Sequence, residues 1–240
     1  MDTRRPADQS QIGQTTGHLP PWQSILAVVA HPDDESFGLG AVISTFIAAG
    51  ARVDVLCYTK GEASTLHGVE GDLALIRRGE LTDAARELGI TSVYLLDYPD
   101  GHLADQDLAE LAEHAVGAAR DADCDGLLVF DSTGITGHAD HIHATRAAVV
   151  AAPLLGLDVL AWTLPADVAN ELRTTLGGDF RGRPRDAIDF VIDVDRDRQQ
   201  KAVHCHPSQA VPSSALWHRL DLLGNREYLR WIVRQEDTTR

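Results

Sequence analysis

Ile25-Leu-Ala-Val-Val-Ala-His31-Pro32-Asp33-Asp34-Glu35 joins six consecutive apolar residues to an imidazole and three carboxylates. A strand with one wet face alternates apolar and polar side chains. An unbroken run of this length, containing Ile and two Val, suits a strand covered on both faces, as in a parallel sheet between layers of helices. Pro32 has no amide hydrogen and pushes its neighbour toward extended geometry, so the strand must end in a loop at His31.

Outward from this run, strands and helices alternate. The pattern predicts a helix over 38–49 closed by Gly50, a strand over 52–59, a helix over 72–88 closed by Gly89 and a strand over 92–96. It continues with a helix over 108–120, a strand over 126–130 and a helix over 140–152. Later strands fall at 159–162 and 190–194, a loop at 177–184, and helices at 195–203 and 216–233. Such alternation implies right-handed βαβ units. The expected fold is a single-domain, Rossmann-like α/β architecture, a mostly parallel sheet with helices on both faces.

The chain has 240 residues and a formal charge of −15, which disfavours binding to a phosphate backbone, so nucleic acid is not an expected partner. Residues 1–20 read as a flexible polar tail without the apolar core of a secretory signal, and 21–240 as the domain. No apolar run reaches the roughly 20 residues that span a bilayer, so no membrane association is expected. Cys57, Cys124 and Cys205 show no paired spacing and read as reduced thiols in a cytoplasmic protein. The four tryptophans read as core residues rather than a sugar-stacking face.

Ligands of open α/β sheets bind beyond the carboxyl ends of the strands. Two polar clusters stand there, His31-Pro-Asp33-Asp34-Glu35 after the first strand and His138-Ala-Asp140-His141 after the fourth. Taken singly, the first reads equally well as a turn with capping carboxylates and the second as a wet helix face. Together they offer the three ligands a catalytic zinc takes: His31, one of the two aspartates, and one histidine of the second cluster. Adjacent carboxylates repel each other unless a cation separates them. His143 has no such support and reads as structural.

These clusters resemble the PIG-L (LmbE-like) family of zinc-dependent N-deacetylases. The resemblance extends over about 25–209. It rests on Ala30-His-Pro-Asp-Asp-Glu35 and His138-Ala-Asp-His141, with weaker matches at Thr59-Lys-Gly-Glu62, Arg77-Arg-Gly-Glu80, Asp97-Tyr-Pro-Asp-Gly-His-Leu103 and His206-Pro-Ser-Gln209. It implies one Zn²⁺ per chain, replaceable by another divalent ion, held by His31, Asp34 and His141. It implies Asp33 as general base and His138 beside the substrate carbonyl, with Asp140 behind an imidazole, fixing its tautomer. Arg77 and Asp100 take substrate-binding positions. Gln199 stands where many relatives carry lysine, and His206 and Gln209 match a late motif without an assigned role.

The implied function is hydrolysis of an N-acyl, above all N-acetyl, group from an amino sugar or related small molecule, with homo-oligomers common in the family. Two alternatives stand beside it, an amidase acting on a thiol conjugate or other non-sugar amide, and a non-catalytic sugar- or nucleotide-binding module. Against the last, no G-x-G-x-x-G follows the first strand; against phosphoester chemistry, there is no phosphate-cradling glycine loop.

Overall fold

A computed structural model describes residues 17–66 and 69–235. The chain order is β1 (Ser24–Val29), α1 (Asp34–Phe37), α2 (Gly40–Ala48), β2 (Arg52–Thr59), α3 (Leu73–Leu88), β3 (Ser92–Tyr98), α4 (Leu108–Asp121), β4 (Gly126–Phe130), α5 (Gly134–Gly137), α6 (Ala139–Leu155), β5 (Asp158–Thr163), α7 (Ala166–Leu176), β6 (Phe190–Asp193), α8 (Asp197–His204), α9 (Ala215–Leu223) and β7 (Arg226–Val233).

The strands form one seven-stranded sheet in the order β3-β2-β1-β4-β5-β7-β6. The first five run parallel, and β7 is antiparallel to both of its neighbours. The β1 run is buried throughout and divides by parity. Ile25, Ala27 and Val29 enter one core with residues of α2, α3, α7 and α8. Leu26, Val28 and Ala30 enter the other, with residues of α4 and α6. This is the two-sided burial that an unbroken apolar strand demands. Strand order reverses at β1, whose neighbours are β2 and β4, so a crevice opens beyond the ends of β1 and β4.

Three local expectations are corrected. The helix expected over 38–49 begins earlier, as the single turn α1, and resumes as α2. The helix expected over 216–233 ends at Leu223. Gly224 takes φ 53, ψ −132, which no helix continues, and Arg226–Val233 extends as β7. The helix α7 was not anticipated. Of the tail expected over 1–20, residues 1–16 lie outside the described residues, and Leu19 already packs against the core. Among the described residues no helix is long and apolar enough to cross a membrane.

Candidate active site

A cavity of about 530 Å³ lies at the switch point, and His31, Asp33, Asp34, Arg77, Asp100, His138 and His141 all line it. His31 comes from the β1–α1 loop and Asp34 opens α1. Asp34 Oδ2 accepts the amides of Ala30 and His31, at 3.1 and 3.0 Å, which fixes the carboxylate against the end of the strand. His141 sits in the first turn of α6, whose N-cap is His138, its Nδ1 accepting the Asp140 amide at 3.3 Å.

The contacts of both imidazoles set the tautomer of the neutral ring. His141 Nδ1 donates to the Gly134 carbonyl at 3.2 Å, leaving the Nε2 lone pair bare. Neutral His31 donates through Nε2 toward Asp100 Oδ1 at 3.0 Å and Asp140 Oδ2 at 3.3 Å, which leaves Nδ1 bare to hold a proton or an ion. The two bare nitrogens face each other at 3.2 Å. Asp34 Oδ1 stands 3.1 Å from His141 Nε2, and its Oδ2 3.7 Å from His31 Nδ1. Donors about 2.0–2.1 Å from one tetrahedral ion stand about 3.3 Å apart. Facing lone pairs beside a carboxylate repel unless positive charge lies between them, so the donor set fits a divalent cation. His138 completes a second close group with His31 and His141, all three ligand atoms within 4.8 Å of one another.

The surrounding charges favour positive charge in the same place. Burial works against protonation of His31, but Asp100, Asp140 and Asp34 overcome it and raise its pKa to about 10. Asp34 is held far below the usual carboxylate range, since His141 and His31 outweigh its burial. Asp33 differs. Burial raises it, Arg77 partly offsets this, and Asp34 raises it further, to about 6. His138 is lowered by burial and then by its two imidazole neighbours.

Asp33 is also a backbone exception, with φ 118. Such strain in a non-glycine residue persists only where surrounding contacts impose it. Here its amide donates to Glu35 Oε2 at 2.9 Å, and Arg77 Nη2 pairs with its Oδ2 at 3.1 Å. Arg77 is buried and also donates to the carbonyls of Gly61 and Pro32. A Cβ at Gly61 would meet Arg77 Nη1 at 2.0 Å, so only glycine lets the guanidinium reach Asp33. Arg77 therefore positions Asp33 while lining the cavity. Asp100 likewise serves two ends, holding His31 through Oδ1 and accepting the Ala63 amide through Oδ2 at 2.9 Å. Asp140 is fully buried. It accepts the amides of Gly101 and Leu103, at 2.7 and 3.1 Å, and so ties the β3–α4 loop to His31.

The late motif forms a buried clasp behind Asp33. His206 Nε2 lies 2.8 Å from Glu35 Oε1, while Ser208 donates through its amide and hydroxyl to Glu80, at 2.9 and 2.6 Å. Burial opposes protonation of His206, but Glu35 raises it. Gln209 accepts from the Ser64 hydroxyl at 2.7 Å and borders the cavity. Gln199 is buried and donates to the carbonyls of Ser36 and Phe37 at the end of α1. His143 packs back on the Ala139 carbonyl, away from the cluster.

Sequence reasoning missed the opposite wall: Phe37, Phe130, Ile135, Trp162, Phe180 and Arg219. Phe130 lies edge-on to His141, with centroids 4.9 Å apart, and 5.3 Å from Trp162. It passes over Gly38, where a Cβ would meet its ring at 2.4 Å. No local pattern marks these residues, because helices and strands distant in the chain bring them together.

A family model described as GlcNAc-PI de-N-acetylase matches residues 26–152. A 1D-myo-inositol 2-acetamido-2-deoxy-alpha-D-glucopyranoside deacetylase of a Nocardioides species is 35% identical over 164 residues, covering 55% of this chain and 54% of that protein. The chain spans about half the length of the relatives of this kind that it matches. Two solved structures share the fold. The zinc-inhibited form of teicoplanin deacetylase Orf2 has a TM-score of 0.67 at 20% identity, covering 90% of this chain and 100% of that one. The N,N'-diacetylchitobiose deacetylase of Pyrococcus horikoshii has a TM-score of 0.65 at 22% identity, covering 88% and 84%.

Proposed function

The chain belongs to the PIG-L family, and on that premise we propose that it is a zinc-dependent amide hydrolase that removes an N-acyl group, above all N-acetyl, from an amino sugar or related small molecule. The observation that carries this reading is the convergence of two bare imidazole nitrogens and one carboxylate beside a second, separately held carboxylate. The names of the similar proteins, deacetylases of acetylated amino sugars and of teicoplanin, point the same way.

In this reading His31, Asp34 and His141 hold Zn²⁺, which supplies a Lewis acid and a water of lowered pKa. Asp33 is the general base. Burial and the neighbouring Asp34 hold its carboxyl above the ordinary carboxylate range, which makes it a stronger base than a free aspartate. Arg77 holds it in place, and the Glu35 contact to its amide fixes the strained backbone. Asp33 takes the proton of the attacking water and returns it to the departing amine. His138 lines the cavity beside both ligand imidazoles and stabilises the charge that develops on the carbonyl oxygen. Asp140 and Asp100 hold the ring of His31. A cytoplasmic setting agrees with the free thiols Cys57, Cys124 and Cys205.

The test combines metal content with amine release from a panel of N-acetylated amino sugars. One equivalent of zinc, release of a primary amine, loss with a chelator and recovery with zinc are expected. Undiminished release from metal-free protein would refute the mechanism.

A further inference from the structure

Two arginines line the cavity, and they differ in their partners. Arg77 is matched by Asp33. Arg219, from α9, is not. Its Nη2 donates to the Phe37 carbonyl, and its guanidinium carbon lies 5.0 Å from the Trp162 ring centre. Its Nε is buried without a hydrogen-bond partner, and Nη1 makes no hydrogen bond among the described residues. No carboxylate of the described residues lies within 4 Å of it. The fields of Glu227, Asp34 and Asp33 reach it, but Glu227 is taken up by Arg196 at 2.6 Å and by the Trp162 indole at 2.6 Å, Asp34 by His141 and Asp33 by Arg77. Burial pushes the Arg219 guanidinium down to about 10.

A half-buried guanidinium packed on Trp162 and the end of α1 with no carboxylate in contact gains from any anion that the cavity admits. Phe37 ends the helical turn that Asp34 begins, roughly 5 Å of rise away, so the guanidinium and the donor cluster are held by the two ends of one short helix and line the same cavity. We propose that Arg219 seats a carboxylate of the substrate, so that the amide cleaved in this cavity belongs to an N-acylated amine that also carries an acid group. A neutral hydroxyl would occupy Nη1 but leave the charge uncompensated. A monoanion does both, and one guanidinium matches one negative charge. The cleavage half of this statement rests on the hydrolase reading; the binding half does not.

The test titrates metal-loaded wild type and Arg219→Gln by calorimetry with N-acetylglycine, N-acetylmuramic acid and N-acetylneuraminic acid, each as free acid and as methyl ester. Wild type is expected to bind at least one acid ~10–100-fold more tightly than its ester, and Arg219→Gln to bind the two alike. Arg219→Met, which keeps the stem packed on Trp162, answers the same question if the Gln variant does not fold. No acid preference in any pair overturns the proposal. So does a preference that survives in the variants, since the carboxylate then sits on the metal. Amine release is followed in the same samples. An acid preference that depends on Arg219, without release of amine, upholds the carboxylate seat and refutes the hydrolase reading. Release without such a preference does the reverse.

Discussion

Residues 26–152 and 153–235 contribute differently to the cavity. The first stretch supplies every ionisable group of its lining except Arg219, namely His31, Asp33, Asp34, Arg77, Asp100, His138 and His141, nearly all fixed by two or more polar partners, and it adds the apolar Phe37, Phe130 and Ile135. The second supplies Trp162, Phe180, Gln209, Ser214 and Arg219, a mostly apolar and hydroxyl surface around one unmatched charge. The difference separates two tasks. Groups that move protons or hold an ion need defined tautomers and fixed positions. Groups that select a substrate need shape, and charge left open for the ligand to meet. Variants in the first stretch should therefore affect every substrate, and those in the second should change which substrate is taken.

The sharpest break would come within the first stretch. Asp33→Asn should lower kcat by ~10²–10⁴-fold with metal content unchanged, whereas His141→Ala should lose metal as well. Elemental analysis beside amine release separates the two, and equal metal loss in both would erase the division between base and ligand.

The seam between the stretches comes next. Asp131, at the end of β4, is fully buried and pairs with Arg183 at 2.7 Å and Arg230 at 3.5 Å, both from the second stretch. Burial raises its pKa, but the Arg183 hydrogen bonds and the Thr133 amide outweigh that and lower it. A carboxylate whose folded pKa is depressed contributes stability that is present above its unfolded value, near 3.8, and is lost as pH falls through the folded one. Asp131→Asn should cost about 3 kcal/mol in urea melts at pH 7, and the difference from wild type should shrink below pH 4. A gap independent of pH would mean that the ion pair does not hold the seam.

A smaller effect is expected where the first stretch holds a residue of the second. Ser64→Ala removes the hydroxyl that anchors Gln209, and should raise KM a few-fold, in line with about 1 kcal/mol for one hydrogen bond, while leaving kcat in place. A matching fall in kcat would assign Ser64 and Gln209 to the chemistry instead.

The same division governs what could be read in advance. Strands such as 126–130 were legible because buried parallel strands are unbroken apolar runs, and the meeting of His31 and Asp34 with His141 because the first pair directly follows one such run and the other opens the helix after the neighbouring strand. The boundary inside 216–233 was not, since Leu, Trp, Ile and Val there satisfy helical and extended patterns alike, and only the turn at Gly224 decides. Arg77 was singled out by its motif, but its hold on Asp33 depends on Gly61, sixteen residues earlier. His206, Gln199 and Arg219 owe their meaning to α1, which each contacts from more than 160 positions away. Such relations leave no periodicity in the chain.

The antiparallel β7 has a consequence for biosynthesis. A growing polypeptide makes β5, then β6, and only afterwards the strand that must lie between them. Until Val233 has left the ribosome, the β5 edge is open and β6 has no neighbour to join. An open edge of this kind invites pairing with other chains. The loops that carry His31, Asp34 and His141 are complete by His141, so a nascent chain can bring that cluster together while the later part of the sheet still waits for its middle strand.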